Sequence, residues 1–164
     1  MLGEAAVVIR RMSGDDSVMP FLVAAMDWRD QGAWDAQTVL DTPDVAHYAT
    51  DWPREGDVGL VADDAADAVG AAWWRTFTAH DPGYGYIADD VPEIGLAVLP
   101  LARGRGLGAA LLSALVDEAR EHGIRGLSLS VEDGNDAARR LYERAGFSVC
   151  GRSGDSDTLV LWLD

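Results

Sequence analysis

Hydrophobic and polar positions change period several times along the chain, and each change marks an element. Val7–Arg11 reads as an opening strand. Ser13 with Asp16 three residues on predicts a helix start, and residues 18–26 supply its amphipathic body. Residues 27–53 read as short helical pieces broken by Gly32, Pro43 and Pro53 and studded with Trp28, Trp34, Tyr48 and Trp52. Residues 58–62 and 69–77 form two strands around an acidic turn at 63–67. A loop rich in Gly, Asp and Tyr covers 78–90, and the almost wholly apolar run 94–99 predicts a strand buried on both faces. The strongest helix spans 107–122, with Leu107, Leu111, Leu115 and Ala119 at i, i+4 and Gly123 in the C-cap position. A strand at 127–131, a helix at 135–145 and strands at 147–150 and 158–163 close the chain. No internal repeat or low-complexity tract interrupts this order. Strands alternating with helices in the middle and strands at both ends imply one mixed α/β domain over residues 1–164.

Composition narrows the function classes. With 48% hydrophobic and 25% charged residues, the 164-residue chain is ordinary globular material. No apolar run reaches the roughly 18 residues of a membrane span, and the N-terminus lacks a basic segment followed by an apolar stretch. A cytoplasmic location is expected, with no membrane partner. The lone Cys150 supports neither an internal disulfide nor a metal cluster and is expected to be a small buried hydrophobe. His47, His80 and His122 are scattered without metal-ligand spacing, so no metal is expected. His122, just before Gly123, fits a helix-end role.

Charge is distributed unevenly. The net charge is −15, and all 13 basic residues are arginine. Residues 1–90 hold 17 acids against five arginines, a balance of −12, whereas the remainder holds 11 acids against eight, or −3. Phosphate neutralisation needs a basic face, so nucleic acid is excluded as a partner. Either the whole surface is simply acidic, or the first half handles something cationic and the second something anionic.

The most informative segment is Arg103-Gly104-Arg105-Gly106-Leu107-Gly108-Ala109, between a buried strand and the long helix. Its glycines permit tight turning, and the helix start adds unpaired N–H donors and a positive dipole end, an arrangement suited to phosphate. Gly104-x-Gly106-x-x-Ala109 also fits a dinucleotide fingerprint, with Glu132 at the spacing of a ribose-binding acid. Against that reading, Pro100 to Arg103 separate the strand from the first glycine. More than ninety residues precede the motif, and too little chain follows to complete a doubly wound sheet.

These residues resemble the GNAT superfamily of acyl-CoA-dependent N-acetyltransferases, closely over residues 91–151 and loosely before them. Arg103-x-x-Gly106-x-Gly108 resembles that family's pyrophosphate loop, with Leu96-Ala97-Val98 as the preceding strand and Pro100 at the bend. The run from Asn135 through Tyr142 to Phe147 resembles its second motif almost position for position. The resemblance implies a GNAT-type fold: a mostly antiparallel central sheet with a splayed parallel pair and flanking helices. It implies acetyl-CoA as co-substrate. Backbone groups of Leu96, Ala97 and Val98 would bind pantetheine, and N–H groups of Arg103, Gly104, Arg105, Gly106, Leu107, Gly108 and Ala109 the pyrophosphate. Asn135 and Tyr142 would flank the thioester.

Acetyl transfer to an amine requires a base, oxyanion donors, alignment and a proton donor for the departing thiolate. Tyr142 suits the last role, since a phenol with pKa near ~10 keeps its proton at neutral pH; the competing reading is a core tyrosine. Glu93 is the candidate base, directly or through water, because it leads into the strand that binds the thioester; the competing reading is a surface glutamate. Family members acting on ribosomal protein N-termini tend to carry glutamate where this chain has Ser130, with Glu132 two residues further on. Cys150 has no activating neighbour in sequence, which favours direct attack in a ternary complex. A non-catalytic acyl-CoA-binding module on the same fold is the alternative. Of the adjacent pair Trp73 and Trp74, one is expected in the core. Trp28, Trp34 and Trp52 lie where the family shapes its acceptor pocket, and Asp27, Asp30, Asp35, Asp51 and Glu55 flank them, suiting a cationic amine. Monomer and homodimer both remain open.

Overall fold

The computed structural model describes residues 6–163. Seven strands form one sheet: β1 (Val7–Arg11), β2 (Val58–Asp64), β3 (Asp67–Arg75), β4 (Glu93–Val98), β5 (Gly126–Glu132), β6 (Ser148–Ser153) and β7 (Ser156–Trp162). Their spatial order is β1-β2-β3-β4-β5-β7-β6. Every neighbouring pair is antiparallel except β4 and β5, which run parallel. A doubly wound dinucleotide sheet needs several parallel neighbours, so that reading fails on topology.

Among the described residues, five α-helices cover the two faces: α1 (Met19–Met26), α2 (Ala36–Leu40), α3 (Pro43–Ala46), α4 (Leu107–Glu121) and α5 (Asp136–Arg144). Leu111, Leu112, Leu115, Val116 and Ala119 of α4 bury against Leu60, Ala72, Trp74, Ile94, Leu127, Leu129 and Leu159, joined by Tyr142 and Phe147. The opposite face packs Val18, Phe21, Leu22, Val39, Val45 and Tyr48 on Ala71, Trp73 and Ala97. Trp73 and Trp74 point to opposite faces, as strand alternation requires. Helices cover both faces, so both rings are fully buried rather than one.

Local chemistry sets the helix ends. After α4, Ile124 N donates to Ala119 O (3.0 Å) and Gly123 N to Arg120 O (3.1 Å), with Gly123 at φ 70°. That is a Schellman stop, requiring left-handed backbone at Gly123. His122 Nδ1 bonds Glu118 O at 2.8 Å, in keeping with its expected helix-end role. The expected helix start at Ser13 is instead a turn: Ser13 N donates to Asp16 Oδ2 (2.7 Å), and Arg10 holds the same carboxylate. The helix waits until Met19, where Pro20 lies in the first turn. Cys150 is exposed, contrary to expectation. It is the extra residue where the β6–β7 register slips between Val149 and Gly151, and β6 is an edge strand exposed along its whole length.

One buried ion pair anchors the segment between α3 and β2. Arg75, at the end of β3, meets Asp57 through Nε (3.1 Å) and Nη2 (2.6 Å). Its Nη1 donates to the carbonyls of His47 (3.0 Å) and Thr50 (2.7 Å). The side chains of this pair are 1% and 2% exposed, so the pairing replaces nearly all hydration. Replacing Arg75 with Met strands the Asp57 carboxylate, and urea unfolding should register a loss of ~3–5 kcal/mol. The double variant Arg75→Met/Asp57→Leu should recover a large part of that loss; a single variant of wild-type stability would remove the pair's structural role.

Candidate active site

The parallel junction is one register position long. Glu93 lies opposite Ser128, Ser128 N donates to Pro92 O at 2.9 Å, and the ladder stops there. Beyond it the two strands part. Leu99 N donates to Val69 O, so alternation along β4 turns the N–H and C=O of Ala97 toward β3. Leu96 and Val98 turn theirs to the gap beside β5. The resemblance implies Leu96, Ala97 and Val98 as one backbone-binding block; the register leaves Leu96 and Val98 facing the gap and spends Ala97 on the sheet. Val98 O accepts from Arg103 Nε at 3.2 Å.

From β4 the chain passes through a single 3₁₀ turn, Pro100–Ala102, and enters α4 through Arg103, Gly104 and Arg105. Gly106 is the N-cap residue, left-handed at φ 76°, and Gly104 has φ 79°. With no side chain at the cap, the first-turn N–H groups of Leu107, Gly108 and Ala109 have no partner within the helix. Added Cβ atoms at Gly104 or Gly106 would meet nothing within 4 Å. Backbone angle rather than crowding therefore selects glycine here. Arg103 pairs with Asp30 (2.8 Å) and Arg105 with Asp64 (2.7 Å), both across exposed surface where such pairs contribute ~0–1 kcal/mol.

Tyr142 projects from α5 into the α4-side core, 7% exposed and edge-on to Phe147 at 5.8 Å. Burial pushes its phenol up to about 12. Asn135 is the N-cap of α5, and its side chain accepts from Ala138 N at 3.4 Å. That contact gives it a structural duty whatever else it does.

Glu93 is no surface residue. The residue is 4% exposed, on the opposite sheet face, at the point where β4 and β5 still touch. Oε2 accepts from Tyr48 Oη at 2.5 Å and Oε1 from Gly85 N at 3.0 Å. Burial outweighs these two bonds and raises the group to about 7. Its covering loop needs two glycines. A Cβ at Gly83 would collide with Glu93 Oε1, and one at Gly85 would lie 2.5 Å from the Leu129 carbonyl carbon. Neither Tyr48 nor this glycine pair was identified as functional from sequence. The Gly-Tyr-Gly-Tyr run at 83–86 was the available signal. Glu132 accepts from Trp28 Nε1 (2.9 Å) and Arg29 Nη1 (2.9 Å), tying the segment after α1 to the end of β5. Among the described residues, no group of three His, Cys, Asp or Glu is arranged to hold a metal, and no helix is long and apolar enough to cross a membrane.

Known proteins fit this geometry. The chain is 34% identical over 127 residues to a mycothiol acetyltransferase of Corynebacterium glutamicum, covering 76% of this chain but 38% of that protein. It is 35% identical over 113 residues to an L-methionine sulfoximine/L-methionine sulfone acetyltransferase of Pseudomonas aeruginosa, covering 68% and 63% respectively. The chain thus spans well under half the length of the mycothiol enzyme. A solved ribosomal-protein-alanine N-acetyltransferase from Brucella melitensis superposes with TM-score 0.66 at 26% identity, covering 95% of this chain and 99% of that one. An N-acetyltransferase from Thermoplasma acidophilum in complex with coenzyme A shares the fold with TM-score 0.68 at 15% identity, covering 96% and 99%. The sequence profile of the Acetyltransferase (GNAT) family matches residues 24–147, about three-quarters of the chain. With the mixed sheet, its single splayed parallel pair and the glycine-capped helix start in place, the chain belongs to the Acetyltransferase (GNAT) family.

Proposed function

We propose that the protein transfers an acetyl or small acyl group from acetyl-CoA to a primary amine, by direct attack in a ternary complex. The observation that carries this reading is the pairing of a one-position parallel junction with a glycine-capped helix start immediately beyond β4. The gap offers the backbone groups of Leu96 and Val98 to an extended amide chain. The N–H groups of Leu107, Gly108 and Ala109, with Arg103, Gly104, Arg105 and Gly106 before them, suit a pyrophosphate. On binding, Arg103 exchanges Asp30 for the anion. Asn135 and Tyr142 flank the thioester end. Relatives named for mycothiol and methionine sulfoximine support a small-molecule amine as acceptor.

The amine nitrogen attacks the thioester carbonyl carbon, the C–S bond breaks, and the amine's proton leaves toward Glu93. A base near 7 is suited to work at neutral pH, and its enclosure calls for an intervening water or hydroxyl. Tyr142, held near 12, is a weak acid beside a thiolate of pKa about 8.5. It acts by donating a hydrogen bond to the departing sulfur and keeps its own proton, while the thiolate takes one from solvent as CoA leaves and Glu93 gives the amine's proton back to solvent. Release of thiol from acetyl-CoA in the presence of a panel of amines tests the reading. A well-folded chain that binds CoA and releases no thiol with any of them would instead be a non-catalytic acyl-CoA-binding module.

The acceptor is expected to carry positive charge besides its reacting amine. Asp27 caps the backbone of Gln31 and Gly32, Asp30 holds Arg103, and Asp35 caps α2. Attraction therefore rests on exposed Asp51 and Glu55 and on the −12 carried by residues 1–90.

Three measurements follow from these assignments. Gly106→Val forces a β-branched residue into left-handed backbone and should abolish CoA binding by calorimetry while the fold survives; unchanged affinity would remove the loop from the site. Tyr142→Phe should lower kcat about 10²-fold with CoA affinity little changed, and a fall under threefold with chemistry rate-limiting would leave Tyr142 a packing residue. For the best amine, kcat/KM should drop as salt rises, since exposed charges are screened beyond ~8 Å at physiological ionic strength. Salt-insensitive kinetics with a neutral acceptor would defeat the charge assignment.

A further inference from the structure

Glu93 is held by a residue from a distant part of the chain. Tyr48 follows α3, is 8% exposed, and reaches across to donate to Glu93 Oε2 at 2.5 Å. The same hydroxyl accepts from Tyr84 N at 2.7 Å, while Gly85 N takes Oε1 at 3.0 Å. Carboxyl, phenol and two successive loop amides thus form one closed set. Buried Gly83 and Gly85 let the loop sit close enough to complete it. The Tyr48 ring is itself fixed, edge-on to His47 at 4.8 Å and to Phe77 at 5.0 Å.

We infer that Tyr48 is a positioning residue for Glu93, its hydroxyl aiming the carboxyl group and linking it to the backbone of the 83–86 loop. The inference deepens the assignment of Glu93 as the base and rests on it only for its effect on activity.

The charged and titratable groups around Glu93 leave Tyr48 as its controlling partner. Arg75 is opposite it on β3, but that guanidinium is spent on Asp57 and two carbonyls. His47 turns to Asp81, and Tyr84 lies near Asp44. Across the parallel junction stands Ser128, whose buried hydroxyl is neutral. Burial, then the charge of Glu93, drives the Tyr48 phenol far upward, so it stays a donor at every working pH. A donor to a carboxylate favours the ionised form, and its removal must raise the titration midpoint.

The test follows Glu93 by NMR of carboxyl-13C-labelled glutamates, its signal assigned by loss in Glu93→Gln, alongside the pH dependence of kcat/KM. In Tyr48→Phe the Glu93 midpoint should rise by about one to two pH units. The acid limb of kcat/KM should move by the same amount, with CoA affinity unchanged. A purely structural role would move neither. If the midpoint rises while the limb stays, and Glu93→Gln keeps its own limb, the Tyr48 link stands and Glu93 is not the base. An unmoved midpoint in a folded Tyr48→Phe protein overturns the inference. Should that variant fail to fold, the wild-type amides decide. Tyr84 N–H, which donates to the phenol oxygen, should titrate with the same midpoint as Gly85 N–H, and a Tyr84 signal blind to Glu93 overturns the link.

Discussion

The parallel junction between β4 and β5, where Glu93 lies opposite Ser128 and Ser128 N donates to Pro92 O at 2.9 Å, is one register position long, and the candidate site depends on the strands parting just beyond it. Ladder pairing normally consumes the polar groups along a strand edge. Here β5 pairs with neither Leu96 nor Val98, in the middle of a seven-stranded sheet, and Arg103 Nε meets the Val98 carbonyl instead. Tyr142 lies in the core on the α4 side of the sheet, and Glu93 is buried on the opposite face at the junction itself.

The electrostatics of the chain are arranged around arginine. Most acids near the candidate site are occupied: Asp57 by Arg75 in the interior, Asp30 by Arg103 and Asp64 by Arg105 at the surface. These pairs differ in kind. The interior one resists loss because breaking it strands a buried charge, whereas the surface pairs are cheap to open and so leave Arg103 available to an anion. The same guanidinium that stabilises β3 binds the carbonyls of His47 and Thr50, and so holds in place the segment that carries Tyr48.

Burial acts in the same direction on two titratable groups. Glu93 rises to about 7, between its two protonation states near neutrality, while Tyr142 rises to about 12 and remains a donor. Two hydrogen bonds offset part of the desolvation at Glu93; burial alone acts on Tyr142. Those two bonds come from Tyr48 and from the loop over Glu93, whose glycines bring an amide within reach of the carboxyl group.

The sequence alone carried the order of elements, because period and cap chemistry are local. The 3.6-residue repeat of α4, its Gly123 stop and the short apolar runs of β2, β3 and β7 all follow from side chains within a few positions of one another. The glycine loop and the Asn135–Phe147 run were legible for the same reason, and they led to the family. Tertiary structure decided everything that needed distant segments to meet. Ser13 and Asp16 look like a helix start until Arg10 and Pro20 are considered, and Cys150 looks buried until β6 becomes an exposed edge. The division of Leu96, Ala97 and Val98 between gap and sheet depends on which residues of β3 lie opposite, which no local pattern encodes. From its neighbours in sequence Glu93 is either a candidate base or a surface glutamate. Only the arrival of Tyr48, 45 residues earlier, and of the 83–86 loop makes it a buried, hydrogen-bonded carboxyl group, because desolvation is a property of the assembled surroundings and not of the residue.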